Sequence, residues 1–112
     1  MSLEKVKDCI EACLACAIAC EYCATSCLRH EEVSMTTRCI QLNRECVVIC
    51  RSAADAMILD SDYASKICAL CAEVCDACAA ECGTHEMDHC QQCAYACRAC
   101  ADECRRLEEY YA

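Results

Sequence analysis

Cysteine is the residue of this chain whose type and number point to chemistry, because it occupies nineteen of the 112 positions. That share is well past the roughly 8–10% that marks a cysteine-specialised chain. Thiolates are soft ligands that select Cu(I), Zn(II) or iron–sulfur clusters, and they also support redox chemistry. The candidate metal ligands are therefore Cys9, Cys13, Cys16, Cys20, Cys23, Cys27, Cys39, Cys46, Cys50, Cys68, Cys71, Cys75, Cys78, Cys82, Cys90, Cys93, Cys97, Cys100 and Cys104.

Three stretches of the chain carry their cysteines at alternating gaps of three and four residues. The first runs from Cys9 to Cys27, and the two later ones run over 68–82 and 90–104. A mean gap of 3.5 is the spacing of the a and d positions of a helix in a left-handed bundle. Each stretch therefore predicts a helix with its thiols in one stripe, one about every 5 Å along the axis.

A fourth stretch, between the first two, carries a diluted version of this pattern. Cys39, Cys46 and Cys50 are seven and four residues apart, and the skipped core position falls at Leu42 or Asn43. The stretch still predicts a helix whose seam faces inward, with fewer thiols than the others.

The elements that must position these stripes are helices by composition as well as by spacing. The chain has no proline, one glycine, no Phe and no Trp, so it offers few turn or strand residues. Short connections make consecutive helices antiparallel neighbours. The sequence therefore predicts an all-α fold, an antiparallel up-down-up-down four-helix bundle with a cysteine-lined core, as a single domain over residues 1–112.

Helix boundaries follow from the interruptions of the pattern. The four helices are predicted at about 3–30, 34–58, 61–82 and 85–109. Gly83 directly follows Cys82 and is expected to end the third helix in a left-handed conformation. Thr84 is then expected to cap the fourth helix.

Charge and the N-terminal sequence limit the compartment and the partners. The net charge of −9 argues against nucleic acid, which needs a basic stripe, and disfavours anionic membrane surfaces. Residues 1–8 lack the features of a signal peptide, and no run of 18 apolar residues occurs. We therefore expect a cytoplasmic protein with no nucleic-acid and no membrane partner. Its thiols are expected to be free, because structural disulfides are rare in the reducing cytosol.

Other uses of so many thiols compete with copper binding. Thiols could serve only as core residues, but Leu and Ile bury more apolar area. CxxC pairs suggest iron–sulfur ligation or thiol redox chemistry, and they occur at 13/16, 20/23, 68/71, 75/78, 90/93 and 97/100. Each pair is interlocked with a CxxxC spacing, and the regular array singles out no low-pKa thiol of the kind a redox enzyme needs. An iron–sulfur electron-transfer protein and a thiol redox sensor remain the alternatives.

Charge balance favours Cu(I) among the soft metals. Each Cu(I) can replace one thiol proton, so a filled core changes its net charge very little. A four-thiolate zinc site carries two surplus negative charges, and burying many such sites in one core would cost a great deal. The continuous stripe therefore predicts many Cu(I) ions in series and no catalytic activity.

The two ends of the predicted bundle differ in composition. The open end, where helices 1 and 3 end and helices 2 and 4 begin, carries His30, Met35, His85, Met87 and His89. All but His89 are in phase with the seam, and His89 lies beside it. The closed end carries apolar residues, namely Val6, Ile10, Met57, Ile58, Leu59, Tyr63, Ile67 and Leu107. This asymmetry predicts that copper enters and leaves at the open end.

Apolar residues away from the cysteine seam predict an oligomer. They are Ile10, Leu14 and Ile18 in the first helix and Ile40, Val47, Val48 and Ile49 in the second. They cannot all face a core already filled with thiols, and an apolar surface of this kind marks an interface. A symmetric homo-oligomer is the expected result.

The cysteine-lined helices, the alternating CxxxC and CxxC spacings and the His/Met end resemble the bacterial copper storage proteins, in particular their cytosolic branch. The resemblance covers essentially the whole chain, and it implies a four-helix bundle that binds many Cu(I) ions and assembles as a homotetramer. It assigns the ligand role to the nineteen cysteines, with His30, Met35, His85, Met87 and His89 at the open end. The expected partners are copper ions and a copper chaperone. The interrupted stripe of the second helix departs from the family pattern, so sites near that helix are expected to fill unevenly.

Overall fold

The computed structural model describes residues 2–111 and, for Tyr111, the backbone only. Its elements are α1 (Leu3–Leu28), a 3-10 helix (Val33–Thr36), α2 (Thr37–Ile58), α3 (Ala64–Cys82) and α4 (Asp88–Tyr111). Met1 and Ala112, which the predicted domain includes, lie outside the described residues. No strand occurs between residues 2 and 111. The prediction of an all-α fold with four helices is confirmed.

The four helices form a square bundle with its long axis along the helices. α1 packs on α2 and α4, and α3 packs on the same two helices. The bundle measures 47 × 19 × 19 Å, and a helix of 26 residues spans about 39 Å. Because the connecting segments are too short to return along this length, consecutive helices run antiparallel, as predicted.

Small side chains fill the core of the bundle. All nineteen cysteines are buried as free thiols, and alanines fill positions beside them, among them Ala17, Ala53, Ala72, Ala94 and Ala101. Cysteine and alanine together leave little bulk between the helices. The sulfur atoms of all four helices can therefore meet near the bundle axis.

By length and composition alone α1 could cross a membrane, with a mean hydropathy of 1.4 over its most apolar 18 residues. Of that window, 44% is buried inside the bundle, and all six cysteines of the helix are buried there. Core packing therefore accounts for much of the apolar character of α1.

The turn between α2 and α3 contains Asp60, the one non-glycine residue between positions 2 and 111 with a positive φ, of 52°. Its backbone N–H donates to the carbonyl of Met57 at 3.2 Å, and the N–H of Ser61 donates to that of Ala56 at 3.0 Å. These are the two hydrogen bonds of a Schellman motif. Aspartate is among the few non-glycine residues enriched in this conformation.

The prediction that Gly83 is left-handed is wrong, because its φ and ψ of −63° and −18° are right-handed. A Cβ at this position would lie only 2.9 Å from the carbonyl oxygen of Ala79. The position therefore favours glycine because the backbone of α3 leaves no room for a side chain. The Thr84 hydroxyl donates to the carbonyl of Glu81 at 2.7 Å. Thr84 thus closes α3 and does not cap α4, which begins at Asp88.

Apolar side chains pack into the core at the end of the bundle opposite the histidines. The buried ones are Val6, Ile10, Met57 and Leu107, and Ile67 packs at the edge of the same core. The prediction is wrong for Ile58, Leu59 and Tyr63, which are exposed. These three lie at the turn where α2 leaves the core, so their side chains no longer follow the seam.

The predicted outer apolar surface is confirmed only in part. Leu14, Ile18 and Val48 are exposed. Val47 is buried and, like Ile10, belongs to the core cluster, while Ile40 and Ile49 are partly buried against it. Because cysteine is small, residues that flank the seam also reach the core.

Candidate metal centre

The thiols form one continuous column along the bundle axis. At the closed end the Sγ atoms of Cys9 and Cys104 are 3.7 Å apart, and near the open end those of Cys23 and Cys90 are also 3.7 Å apart. Between them, neighbouring sulfur atoms on different helices lie 3.5–3.9 Å apart. The helical stripes predicted from the cysteine spacing therefore converge into a single chain of sulfur contacts.

Sets of four thiols lie close enough together to share metal ions. Two sulfur atoms bound to one metal at about 2.3 Å are at most about 4.6 Å apart, and within each set the four sulfur atoms lie within 4.8 Å of one another. Five sets are Cys13/Cys71/Cys100/Cys104, Cys16/Cys46/Cys50/Cys75, Cys16/Cys20/Cys46/Cys97, Cys20/Cys78/Cys93/Cys97 and Cys23/Cys27/Cys39/Cys90. Each set draws on three helices, and several share members, so the folded bundle builds a network of overlapping sites.

Asn43 fills the skipped seam position of α2 and reaches the thiols with both atoms of its amide. It is fully buried, and its Oδ1 accepts hydrogen bonds from Cys93 at 3.1 Å and Cys78 at 3.2 Å. Cys82 donates to the same oxygen at 3.4 Å, and the amide Nδ2 donates to Cys39 at 3.7 Å. From the sequence Asn43 is only an interruption of the stripe, although a polar residue at a seam position is a signal that could have identified it.

Burial and hydrogen bonding set the protonation of thiols near the open end. Burial raises the pKa of Cys27 and raises that of Cys90 to about 12. Hydrogen bonds from Cys23 and Cys82 lower the pKa of Cys39 to about 3, because S–H donors stabilise the thiolate. Buried thiols with raised pKa values must release a proton to bind a metal, and the hydrogen bonds to Cys39 make that release easier.

His89 connects the surface of the open end to the thiol column. Its Nδ1 lies 3.4 Å from the Sγ of Cys23 and 3.5 Å from that of Cys90. Its Nε2 lies 2.9 Å from the Nε2 of His30, and the two rings stack with centroids 5.2 Å apart. Burial, with the neighbouring His30, lowers the pKa of His89. His89 begins beside the seam, as its place in the sequence predicts, and the length of its side chain carries the ring inward to the thiols.

The remaining predicted ligands of the open end lie around a surface pocket of about 270 Å³. The pocket is lined by His30, Glu31, Glu32, Met35, Thr36, His85 and Met87. His85 bonds to Glu81, with 2.9 Å between Nε2 and Oε2. Met87 packs partly against the core, whereas Met35 is 68% exposed. The structure thus brings all five predicted residues to one end, with His89 as the one that contacts thiols.

Comparison with known proteins identifies the family. The model of the copper storage proteins matches residues 2–109. The cysteine-rich protein YhjQ of Bacillus subtilis (strain 168), itself uncharacterised, is 50% identical over 83 residues, which are 74% of this chain and 77% of the relative.

Solved structures agree with this assignment. The Cu(I)-bound copper storage protein BsCsp3 is 48% identical and superposes with a TM-score of 0.90, over 93% of this chain and 98% of the other. A cytosolic copper storage protein from Streptomyces lividans, with five coppers, is 37% identical with a TM-score of 0.90, over 95% and 93% of the two chains. The resemblance seen in the cysteine spacing is confirmed, and this chain belongs to the copper storage protein family.

Proposed function

We propose that the protein stores Cu(I) on the thiolates that line its bundle. The observation that carries this proposal is the unbroken column of nineteen buried free thiols. It is supported by the Cu(I)-bound structure of BsCsp3 and by the copper-containing structure from S. lividans. The proposed ligands are the nineteen cysteines, together with His30, Met35, His85, Met87 and His89 at the open end.

Charge balance in the core supports Cu(I) over Zn(II). Every Lys and Arg of the described chain has an exposed side chain, so the core contains no fixed cation to neutralise surplus thiolate charge. Zinc in four-thiolate sites would leave that surplus buried, at a high cost in free energy. Cu(I) replaces thiol protons one for one and leaves the core close to neutral.

Asn43 is proposed to exchange its hydrogen bonds when copper fills the array. Its Oδ1 accepts hydrogen bonds from thiols in the apo protein. When those thiols release their protons on binding copper, the amide oxygen would face thiolates and lose its donors. Cu(I) prefers sulfur to oxygen ligands, so a rotation of the amide that turns its N–H donors toward the thiolates satisfies them.

Anaerobic titration of the reduced apo protein with Cu(I), in competition with a coloured chelator, tests the storage function. We expect the protein to withhold many equivalents, approaching one per cysteine, and to remain colourless. Uptake of one or two equivalents would overturn storage. Visible absorption with stoichiometric sulfide would instead indicate iron–sulfur clusters, and one unusually reactive thiol would indicate a redox sensor.

The open end is proposed as the route by which copper enters and leaves. The pocket lined by His and Met opens there, and the ring of His89 spans from His30 to the thiols. The double variant H85A/H89A should slow copper uptake while total capacity stays nearly intact. Met57→Leu at the closed end is the control and should change neither. Loss of most of the capacity in H85A/H89A would overturn the proposal.

We also propose that the protein stores copper in the cytoplasm and that it is not an enzyme. The S. lividans relative is described as cytosolic, and free thiols persist in a reducing compartment.

The partner that supplies Cu(I) is proposed to be a copper chaperone. Mixing a copper-loaded chaperone with the apo protein should transfer the metal without free Cu(I) reaching a competing chelator. Transfer that runs only through the chelator would argue against direct delivery.

A homotetramer is proposed as the assembly that covers the exposed apolar residues. Ile18 and Val48 are 68% and 62% exposed. Val48 also lines an apolar groove between α2 and α3 that includes Leu70 and Val74. Exposed apolar surface of this kind marks an interface.

Native mass spectrometry tests the assembly directly. The unaltered protein should appear as a tetramer, and Val48→Lys should dissociate it. Ser52→Lys, one turn further along the exposed face of α2, is the matched control and should leave the tetramer intact. A monomeric unaltered protein would overturn the proposal.

A further inference from the structure

Glu81 holds the ring of His85 in one orientation at the open end. The Oε2 of Glu81 lies 2.9 Å from the Nε2 of His85, one helical turn along the chain. The side chains are 29% and 17% exposed, so solvent reaches this pair only in part. A carboxylate is an acceptor, so the ring must donate through Nε2–H. The neutral ring then carries its lone pair on Nδ1.

The backbone around His85 is fixed by further hydrogen bonds. The Thr84 hydroxyl donates to the carbonyl of Glu81 at 2.7 Å. The side-chain amide of Gln91 donates to the carbonyl of His85 at 2.6 Å and to that of Gly83 at 3.1 Å. Both the ring of His85 and the segment that carries it are therefore held in place before any metal arrives.

The three histidines have different partners. His30 and His89 bond to each other through their Nε2 atoms, whereas His85 has a carboxylate behind its ring. A histidine that binds a metal commonly donates its other ring N–H to a carboxylate, which fixes the tautomer and the ring orientation. Among the described histidines, His85 has this arrangement without contact to a thiol.

We propose that Glu81 is a positioning residue for copper uptake, which keeps Nδ1 of His85 available as the ligand atom for incoming Cu(I). This inference rests on the proposed role of the open end in uptake. A carboxylate is a hard ligand that Cu(I) does not prefer, so Glu81 acts through the ring of His85. The substrate of this outer site is Cu(I) on its way to the thiols, with Met87 beside it in the same pocket.

Uptake kinetics separate positioning from simple charge attraction. We expect Glu81→Ala to slow Cu(I) uptake from a chelator about tenfold, the lower end of the range for carboxylates behind a metal-binding histidine. Glu81→Gln loses the charge but keeps an oxygen that accepts Nε2–H, so it should take up copper nearly as fast as the unaltered protein. Glu73→Ala, an exposed glutamate of α3, is the matched control. Equal slowing by Glu81→Gln and Glu81→Ala would overturn positioning and leave charge as the cause.

A double variant tests whether Glu81 acts through His85. Glu81→Ala combined with His85→Ala should be no slower than His85→Ala alone, and end-point capacity should be the same in all variants. Slowing by the second change would overturn the inference. If His85→Ala itself takes up copper at the normal rate, the proposed uptake route through His85 fails together with the inference. If His85→Ala slows uptake and Glu81→Ala does not, the inference alone fails.

Nuclear magnetic resonance of the ¹⁵N-labelled apo protein gives a readout that needs no copper. The Nε2–H proton of His85 should be observable in the unaltered protein and in Glu81→Gln, because a hydrogen bond protects it from exchange with water. It should be lost through exchange in Glu81→Ala. An equally protected proton in Glu81→Ala would overturn the proposed contact.

Discussion

At the residue scale, the closest pair of thiols joins α2 to α3 beside the open end. The Sγ atoms of Cys39 and Cys82 are 2.8 Å apart, whereas the Cys20–Cys93 pair is 3.5 Å apart. Hydrogen bonds hold the pKa of Cys39 at about 3. The lowered pKa of Cys39 favours its thiolate, which is the nucleophilic form of cysteine.

Limiting hydrogen peroxide should therefore form the Cys39–Cys82 disulfide before any other in the apo protein. The Cys39 thiolate attacks the peroxide, giving a sulfenic acid and hydroxide, and the Cys82 thiol then displaces water to close the disulfide. Alkylation of the remaining thiols followed by peptide mass spectrometry identifies the pair. Cys39→Ser should delay the first disulfide, and earlier appearance of another pair would contradict the prediction.

The raised pKa of Cys90 predicts a loss of stability in alkaline solution. Burial raises it from 9.0 to about 12, so between these values the folded state keeps a proton that the unfolded chain has released. Stability is therefore fully present below pH 9 and falls as pH rises toward about 12. Anaerobic urea unfolding of the reduced apo protein at a series of pH values measures this fall. Cys90→Ala should show a shallower decline, and identical slopes for the two proteins would contradict the assignment.

At the scale of elements, the end of α2 depends on one left-handed residue. Asp60→Ala should lower the free energy of unfolding by about 1 kcal/mol, because a Cβ without a compensating polar group is disfavoured at positive φ. Asp60→Asn should stay close to the unaltered protein, since asparagine also tolerates this conformation. Denaturant unfolding of both variants gives the comparison. Equal stability of the alanine and asparagine variants would show that the conformation costs little here.

The sequence predicts the helices well because the thiol stripe repeats many times in phase. The cysteine repeat over Cys68–Cys82, for example, determines which face of α3 turns inward. The boundaries are less predictable, because local hydrogen bonds decide them. The Thr36 hydroxyl bonds to the carbonyl of Val33 at 3.1 Å in the 3-10 helix before α2. The Ser61 hydroxyl accepts from the N–H of Tyr63 at 3.1 Å before α3.

The same distinction between repeat and local contact applies to the site. The cysteine stripes follow from periodicity, so their convergence is predictable from spacing alone. The proposed roles of Asn43, Glu81 and His89 depend on single contacts across or along helices, and no repeat in the sequence predicts those contacts. Side-chain length and hydrogen-bond partners determine where such residues reach, and these emerge only in the folded bundle.

At the scale of the whole molecule, copper should stabilise the bundle strongly. Each set of four thiols draws on three helices, so a bound ion links elements that separate on unfolding. A ligand that binds only the folded state at a thousand times its Kd adds about 4 kcal/mol for each independent site. Thermal unfolding followed by circular dichroism should show a large rise in Tm on loading with Cu(I). Removal of copper by excess chelator should restore the apo value, and an unchanged Tm on loading would contradict this prediction.

The thiol stripe has a consequence for how such a protein can change in size. Seven further residues lengthen a helix by about 10.5 Å and add two seam positions. One insertion of this length in each of the four helices would therefore add about eight positions for cysteine while leaving both ends of the bundle unaltered. Storage volume in this architecture can thus be graded by helix length, independently of the residues at the open end of the bundle.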